Sequence, residues 1–254
     1  EALIERRTAA LDAHCRGHLA LALDEAALRL GKLAIAHARG ILPDGTPFDF
    51  PGEEDIPQPL DIPIDAPNEL VVLALPLRRP AGLDTDILGE DARGLTRYLP
   101  AEYDIPDNTL ASGNTALIQI GQPRFRLMLA REATDAYASV GVARIVERRA
   151  DNLVVVDVTY LPPMLAFARA TLLSGHIGEI LGLLHQRSKA LSARVAQPGR
   201  GGVAEIADFL LLQAVNRHEP VFRHFGQVAI LHPALLFLHC LGLAGELATF
   251  SREE

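Results

Sequence analysis

The residues with the clearest chemical potential lie in a few places. Gly199-Arg200-Gly201-Gly202-Val203-Ala204 carries the letters G-x-G-x-x-A of a dinucleotide-binding turn, and Glu219 follows at a distance that would suit a ribose contact. That chemistry needs a strand before the glycines and a βαβ unit around them, which places the pyrophosphate on a helix N-terminus. Here the glycines follow a helical pattern, and no Lys-Ser/Thr pair completes a phosphate loop. The run reads as a turn between antiparallel helices, with Arg200 leaving room for an anion at the next helix start. His14-Cys15-Arg16-Gly17-His18 spaces two imidazoles four residues apart. A zinc protease would need Glu where Cys15 stands, and Gly17 ends the helix that would align the rings. The pair therefore reads as surface or interface histidines.

His176, His185, His218, His224, His232 and His239 crowd the C-terminal part. A di-iron bundle uses Glu-x-x-His pairs. Glu179 is followed three residues on by Gly182, and Glu219 by Phe222, so neither pair forms. Asp44, Asp49, Glu53, Glu54 and Asp55 could supply the two carboxylates of a glycosidase. A sugar cleft wants aromatic walls and only Phe48 and Phe50 are near, so the cluster reads as a solvated acidic loop. No serine sits in a G-x-S-x-G elbow. Arg144, Arg148 and Arg149 surround Glu147 and read as an exposed strand end, or as an anion or partner contact, because arginine is favoured at interfaces. No catalytic, cofactor-binding or metal-ligating residue is nominated.

Composition narrows the partners. Lys and Arg number 24 against 32 Asp and Glu, a net charge of −8, which argues against a nucleic-acid backbone as partner. Aromatic residues are 5% with no Trp, too few for a base-stacking platform. Two cysteines, Cys15 and Cys240, build neither a zinc framework nor a disulfide scaffold. The longest apolar stretch, Ile230 to Leu247, is broken by His232, Pro233, His239 and Gly242, so no membrane insertion is expected. The chain starts at Glu1 rather than Met and is expected to be a fragment.

The elements that would position these residues fall into two grammars. Twelve of the 17 prolines lie between Pro43 and Pro123, so the first part cannot be mainly helical. Glu1 to Ala13 is helix-like. Leu33 and Ile35 alternate with Lys32, Ala34 and Ala36, and Pro43-Asp44-Gly45-Thr46 reads as a turn. Leu70 to Leu77 reads as a buried strand. Gly121-Gln122-Pro123 is expected to join Thr115–Ile120 and Arg124–Leu129 in a hairpin, and Ala150-Asp151-Asn152 to join Val140–Arg148 and Leu153–Val158 in another. Pro51 to Pro67, with five prolines, reads as an extended surface connection. From Pro162-Pro163 on, Ile177, Ile180, Leu181, Leu184, Leu191 and Val195 follow helical spacing. Ile206, Phe209, Leu210, Gln213 and Val215 carry a next helix up to Pro220. A short helix is expected over Val221–Phe225, and His232-Pro233 opens the last. The expected fold is α+β and multidomain: residues 1–163 an antiparallel β-sandwich with a short N-terminal helix, residues 164–254 a four-helix bundle.

Several segments together resemble one family. They are Leu28–Ala34 (LRLGKLA), Gly40–Phe48 (GILPDGTPF), Leu73–Arg79 (LALPLRR), Val142–Arg149 (VARIVERR), Gly182–Arg187 (GLLHQR) and Gly199–Asn216 (GRGGVAEIADFLLLQAVN). Glu219-Pro220, His232-Pro233 and Gly245–Phe250 (GELATF) follow in order. Over nearly the whole chain this is similar to the TssK family, the baseplate component of the bacterial type VI secretion system. The resemblance implies a β "shoulder" similar to siphophage receptor-binding proteins, a helical middle and a C-terminal head, the head being absent from this chain. It implies a non-catalytic, cytoplasmic homotrimer at the inner face of the cell envelope. The shoulder would dock on the baseplate wedge through TssG, with TssF and TssE nearby. The missing head would contact TssL and TssM of the membrane complex. Alternatives are a phage-tail-like receptor-binding or chaperone protein, or an enzyme with a site shared between subunits. For the adaptor, the candidate oligomer or partner contacts are Ile206, Phe209, Leu212, Val215, Arg144 and Arg148. The apolar residues from Ile206 to Val215 are too many for one stripe, so that helix is expected to bury more than one face.

Overall fold

The computed structural model describes residues 15–64, 67–79, 83–87, 94–106, 115–166, 171–196, 203–228 and 230–250. Glu1 to Cys15's predecessor His14, and the glycine run 199–202, lie outside the described residues, and with them the expected N-terminal helix and glycine turn. The chain divides into two compact units, Glu1–Pro163 and Met164–Glu254.

In the first unit, β1 (Gly17–Leu23) leads into α1 (Glu25–Arg29). Asp24 caps that helix, its carboxylate accepting from Ala26 N at 2.8 Å and Ala27 N at 3.3 Å. β3 (Ile35–Ile41) pairs antiparallel with β1 and with β4 (Pro47–Phe50), giving a three-stranded sheet in the order β1-β3-β4. The β3–β4 turn has the expected chemistry. Gly45 takes φ 90°, where a side chain would be strained, and the Asp44 carboxylate accepts from Thr46 N at 3.0 Å. The proline-rich stretch after β4 holds one short strand, β5 (Leu60–Asp61), which pairs with β2 (Lys32–Leu33).

β6 (Leu70–Pro76) is a central strand of a four-stranded antiparallel sheet, order β11-β10-β6-β9, with β9 (Arg126–Leu129), β10 (Tyr137–Arg148) and β11 (Val154–Val156). Its period-2 alternation sorts its side chains. Val71, Leu73 and Leu75 enter the main core, while Val72 and Ala74 join Met128 in a smaller cluster on the other face. The main core also takes Leu33, Ile35, Ala38, Phe48 and Phe50 from the N-terminal strands, so both sheets feed one apolar interior. The β10–β11 hairpin turns where expected, with Asn152 at φ 70°.

The hairpin expected at Gly121-Gln122-Pro123 does not form. β8 (Thr115–Pro123) runs straight through those residues and pairs with β7 (Tyr98–Pro106), from Tyr98↔Pro123 to Pro106↔Thr115. β9 pairs instead with β6. Gly121 is there for proximity rather than turning: a Cβ on it would meet the Tyr98 side chain at 3.1 Å. Residues directly opposite share a face. Leu99, Ala101, Tyr103 and Ile105 therefore line up with Gln122, Ile120, Ile118 and Ala116 on one face of this ribbon. Pro100, Glu102 and Asp104 line up with Gly121, Gln119 and Leu117 on the other.

The second unit has three helices among the described residues: α2 (Thr171–Val195), α3 (Val203–Phe225) and α4 (Pro233–Ala248). The expected break at Pro220, and with it the fourth helix, is corrected: α3 continues through Pro220 to Phe225. Proline removes the donor that would serve the Asn216 carbonyl. The turn beyond it is held by burial instead, since Phe222 and Phe225 enter the same core as Leu211 and Val215. Ile177, Leu184 and Leu191, seven apart, are the fully buried face of α2, and Leu236 and Leu243 that of α4. His232-Pro233 opens α4 as expected, with Pro233 in the first turn, and the His232 side chain caps it, Nδ1 accepting from Ala234 N at 3.1 Å.

Candidate functional site

α3 shows what the apolar excess of its sequence does. Its C-terminal half buries Leu211, Ala214, Val215, His218, Glu219, Phe222 and Phe225. Its N-terminal half leaves Ile206 61% and Phe209 57% exposed, with Val203 and Leu210 also exposed. α4 is apolar on more than its core stripe: Leu236 and Leu243 face the core, while Leu235, Phe237, Leu238 and Leu241 face outward. A helix with apolar residues beyond its core-facing stripe presents a second apolar surface. An open groove of about 580 Å³ is walled by Leu183, Leu184, Leu211, Val215, Leu247 and Phe250, with Gln186 and Arg187 at its edge. Its wall is mainly apolar and offers surface to bind rather than a nucleophile.

The six nominated residues divide between the two units, four on α3 and two on β10. Ile206 and Phe209 are surface residues of α3, Leu212 is half-buried against the core, and Val215 is 1% exposed inside it. Val215 thus serves the interior of its own unit. Arg144 and Arg148 belong to the other unit. Arg148 donates to Ile62 O at 2.6 Å and Asn152 Oδ1 at 2.7 Å, which ties the β10–β11 hairpin to the connection before β6. Arg144 is exposed with its guanidinium 5.4 Å from the Tyr160 ring centre. Burial pushes the Tyr160 phenol above its ordinary value and Arg144 draws it back.

Polar side chains stitch the helices together. Arg194 meets Asp208 at 2.6 Å, Ser188 donates to Asn216 Oδ1 at 2.7 Å, and Arg217 meets Glu246 at 2.7 Å. Glu219, buried, receives Arg223 at 2.5 Å and His185 Nδ1 at 3.1 Å, and His218 Nε2 lies 3.5 Å from Glu246. His176 Nδ1 lies 3.9 Å from Glu179, so three of the six helical histidines sit beside carboxylates, and His239 stacks its edge on Phe225 at 5.1 Å. Among the described residues, no group of three or more His, Cys, Asp or Glu is placed to hold a metal ion.

Two polar residues of the first unit escape sequence reasoning. His18, read above as a surface or interface histidine, is fully buried in β1. Its Nε2 donates to Gly141 O at 2.9 Å, and its ring meets Phe48 edge-on at 5.6 Å. Burial pushes its pKa below the ordinary value, against the Gly141 bond, so the imidazole is held neutral. Asp44 is not a solvated acid either. It pairs at 3.0 Å with Arg97, whose guanidinium is 1% exposed and also donates to Pro76 O at 2.7 Å and Thr46 Oγ1 at 2.5 Å. The turn motif was legible in sequence, but its arginine partner lies 53 residues away and carries no local signal.

Against known proteins, the family described as "Bacterial Type VI secretion, VC_A0110, EvfL, ImpJ, VasE" matches residues 1–254. The chain is 44% identical to the type VI secretion system baseplate component TssK1 of Pseudomonas aeruginosa, over 100% of this chain and 57% of that protein. It is similar to a crystal structure of TssK, with TM-score 0.92 and 41% identity over 98% of this chain and 56% of that one. It is also similar to a chain of the TssK-TssF-TssG baseplate subcomplex seen by cryo-electron microscopy, with TM-score 0.83 and 27% identity over 100% of this chain and 81% of that one. The chain thus spans just over half the length of the curated relative it matches. No described helix is long and apolar enough to cross a membrane. Matched along its whole length by that family model and 44% identical to a TssK1 baseplate component, the chain belongs to the bacterial type VI secretion family of VasE and ImpJ.

Proposed function

We propose that this chain is the β-sandwich shoulder and helical middle of a non-catalytic homotrimeric adaptor in the type VI secretion baseplate. The shoulder, similar in kind to a siphophage receptor-binding protein, docks on the wedge through TssG, with TssF alongside and TssE nearby. A C-terminal head of the longer protein reaches TssL and TssM, which places the adaptor in the cytoplasm at the inner face of the envelope. No cofactor takes part. The observation that carries this reading is the outward apolar surface of α3 and α4: Ile206, Phe209, Phe237, Leu238 and Leu241 are all exposed. Permanent assemblies cover surfaces of this kind with interfaces that resemble a domain core. The similarity to a TssK chain solved together with TssF and TssG supports the choice of partners.

The test is affinity co-purification of the tagged protein from its own bacterium, read by mass spectrometry. Recovery of TssG and TssF is the expected result. A folded protein that brings down neither, in its full-length form, overturns the reading.

A further inference from the structure

The β7–β8 ribbon is an element its own unit does not finish. Each strand has nine residues, and among the described residues the two form a sheet with no third strand. A lone two-stranded ribbon is at best marginally stable in water. Every large apolar residue on it beyond the root is exposed, Tyr103 by 44%, Ile105 by 42% and Ile118 by 39%. What covers it can be narrowed by three observations.

First, the outer edge of β7 is poorly suited to adding another strand. Tyr98 N–H and C=O point away from β8, pairing with Asp84 O and Asp86 N at 2.9 and 3.2 Å. Residues of the same parity point the same way, so Pro100 and Pro106 remove the donors at two of the following outward positions. Second, the two faces differ sharply. Ala101, Tyr103, Ile105, Ala116, Ile118 and Ile120 share one face without a single Asp, Glu, Lys, Arg or His. The opposite face carries Glu102 and Asp104. Third, rotational symmetry brings like residues toward each other around its axis. A charge-free apolar face can meet its own copies without penalty, whereas a face bearing Glu102 and Asp104 would set like charges together.

We propose that the apolar face of this ribbon packs against the same face of the other copies of this chain, so that the ribbons form a shared apolar core at the symmetry axis with Glu102 and Asp104 turned to solvent. This rests on the trimeric reading above and assigns it a specific element of the first unit.

The test uses the full-length protein at a concentration where the unmodified form is trimeric by sedimentation. Ile118→Asp puts a charge on the apolar face, and Leu117→Asp puts the same charge on the other face. The expected result is a threefold drop in mass for Ile118→Asp, with Leu117→Asp still trimeric. As a measurement that needs no disruptive charge, Ala116→Cys and Thr115→Cys are compared in a full-length background in which Cys15, Cys240 and any cysteine outside this chain are replaced by Ser, with a short bismaleimide. Ala116→Cys is expected to give linked chains, and Thr115→Cys to give none. A trimeric, unlinked Ala116→Cys protein, or a trimeric Ile118→Asp protein, overturns the ribbon proposal while leaving the trimer in place. An Ile118→Asp protein that stays trimeric but no longer retains TssG reassigns the face to that partner and also overturns it. An unmodified protein that sediments as a monomer overturns the trimer and the ribbon core together.

Discussion

Replacing Arg97 by methionine probes how the first unit is held together. The guanidinium is almost wholly buried and serves three groups from distant parts of the chain: Pro76 O, Thr46 Oγ1 and the Asp44 carboxylate. Methionine keeps much of the volume but removes every donor. Asp44 is left without its cation and Pro76 O without its donor. Breaking a buried pair from one side costs about 3–5 kcal/mol. The Asp44 side chain is 17% exposed, so water reaches it, and the lower end of about 3 kcal/mol is expected. For a unit of this size that lowers Tm by about 6–12 °C. The assay is built into the sequence. The chain has no Trp, and its four tyrosines, Tyr98, Tyr103, Tyr137 and Tyr160, all lie in the first unit, so tyrosine emission follows that unit alone. Adding Asp44→Asn to Arg97→Met removes the orphaned charge and is expected to recover part of the loss. An Arg97→Met protein melting within about 2 °C of the unmodified chain would refute the assignment of Arg97 as the clamp on the β3–β4 turn.

Three further outcomes follow from the packing. His18 is held neutral by burial, so its folded pKa lies below its unfolded value near 6.5. The unfolded chain then binds more protons in acid: stability from this site is complete above about pH 6.5 and is lost as the pH falls toward the folded value. The urea midpoint, followed by tyrosine emission, should drop more between about pH 8 and about pH 5.5 in the unmodified chain than in His18→Gln; equal drops contradict the account. Phe222→Ala, at a position with no exposure, should cost about 3–5 kcal/mol in helical melting followed by circular dichroism, and a loss below about 1 kcal/mol speaks against its core role. Pro220→Ala restores a donor to the Asn216 carbonyl and should stabilise α3 by about 1–3 kcal/mol, so a lowered helical melting point is the contrary result.

What was legible in the sequence was local. Gly45 and Asn152 marked their turns because left-handed backbone is costly for most residues. The continuous apolar run of Leu70 to Leu77 marked a buried strand, and the spacing of Ile177, Leu184 and Leu191 marked a helix face. The surplus of apolar residues on α3 pointed to a second face, and that face is exposed in the isolated chain. What was not legible depends on distant residues. Tyr98–Pro106 gave no strand signal because Pro100 and Pro106 interrupt it, and a ribbon tolerates them only on a free edge. Gly121-Gln122-Pro123 carries turn letters, yet the glycine sits in a strand where an added Cβ would come within 3.1 Å of the Tyr98 side chain. His18 read as a surface or interface residue, and Arg97 carried no signal, because their partners, Gly141 and Asp44, are far along the chain. Pro220 looked like a helix end because Phe222 and Phe225 hold the turn beyond it by tertiary packing.

Native mass spectrometry of the tagged full-length protein recovered from its own bacterium tests the central claim most directly. The account predicts three copies of this protein in one complex that also holds TssG and TssF. A single copy bound to neither would contradict it.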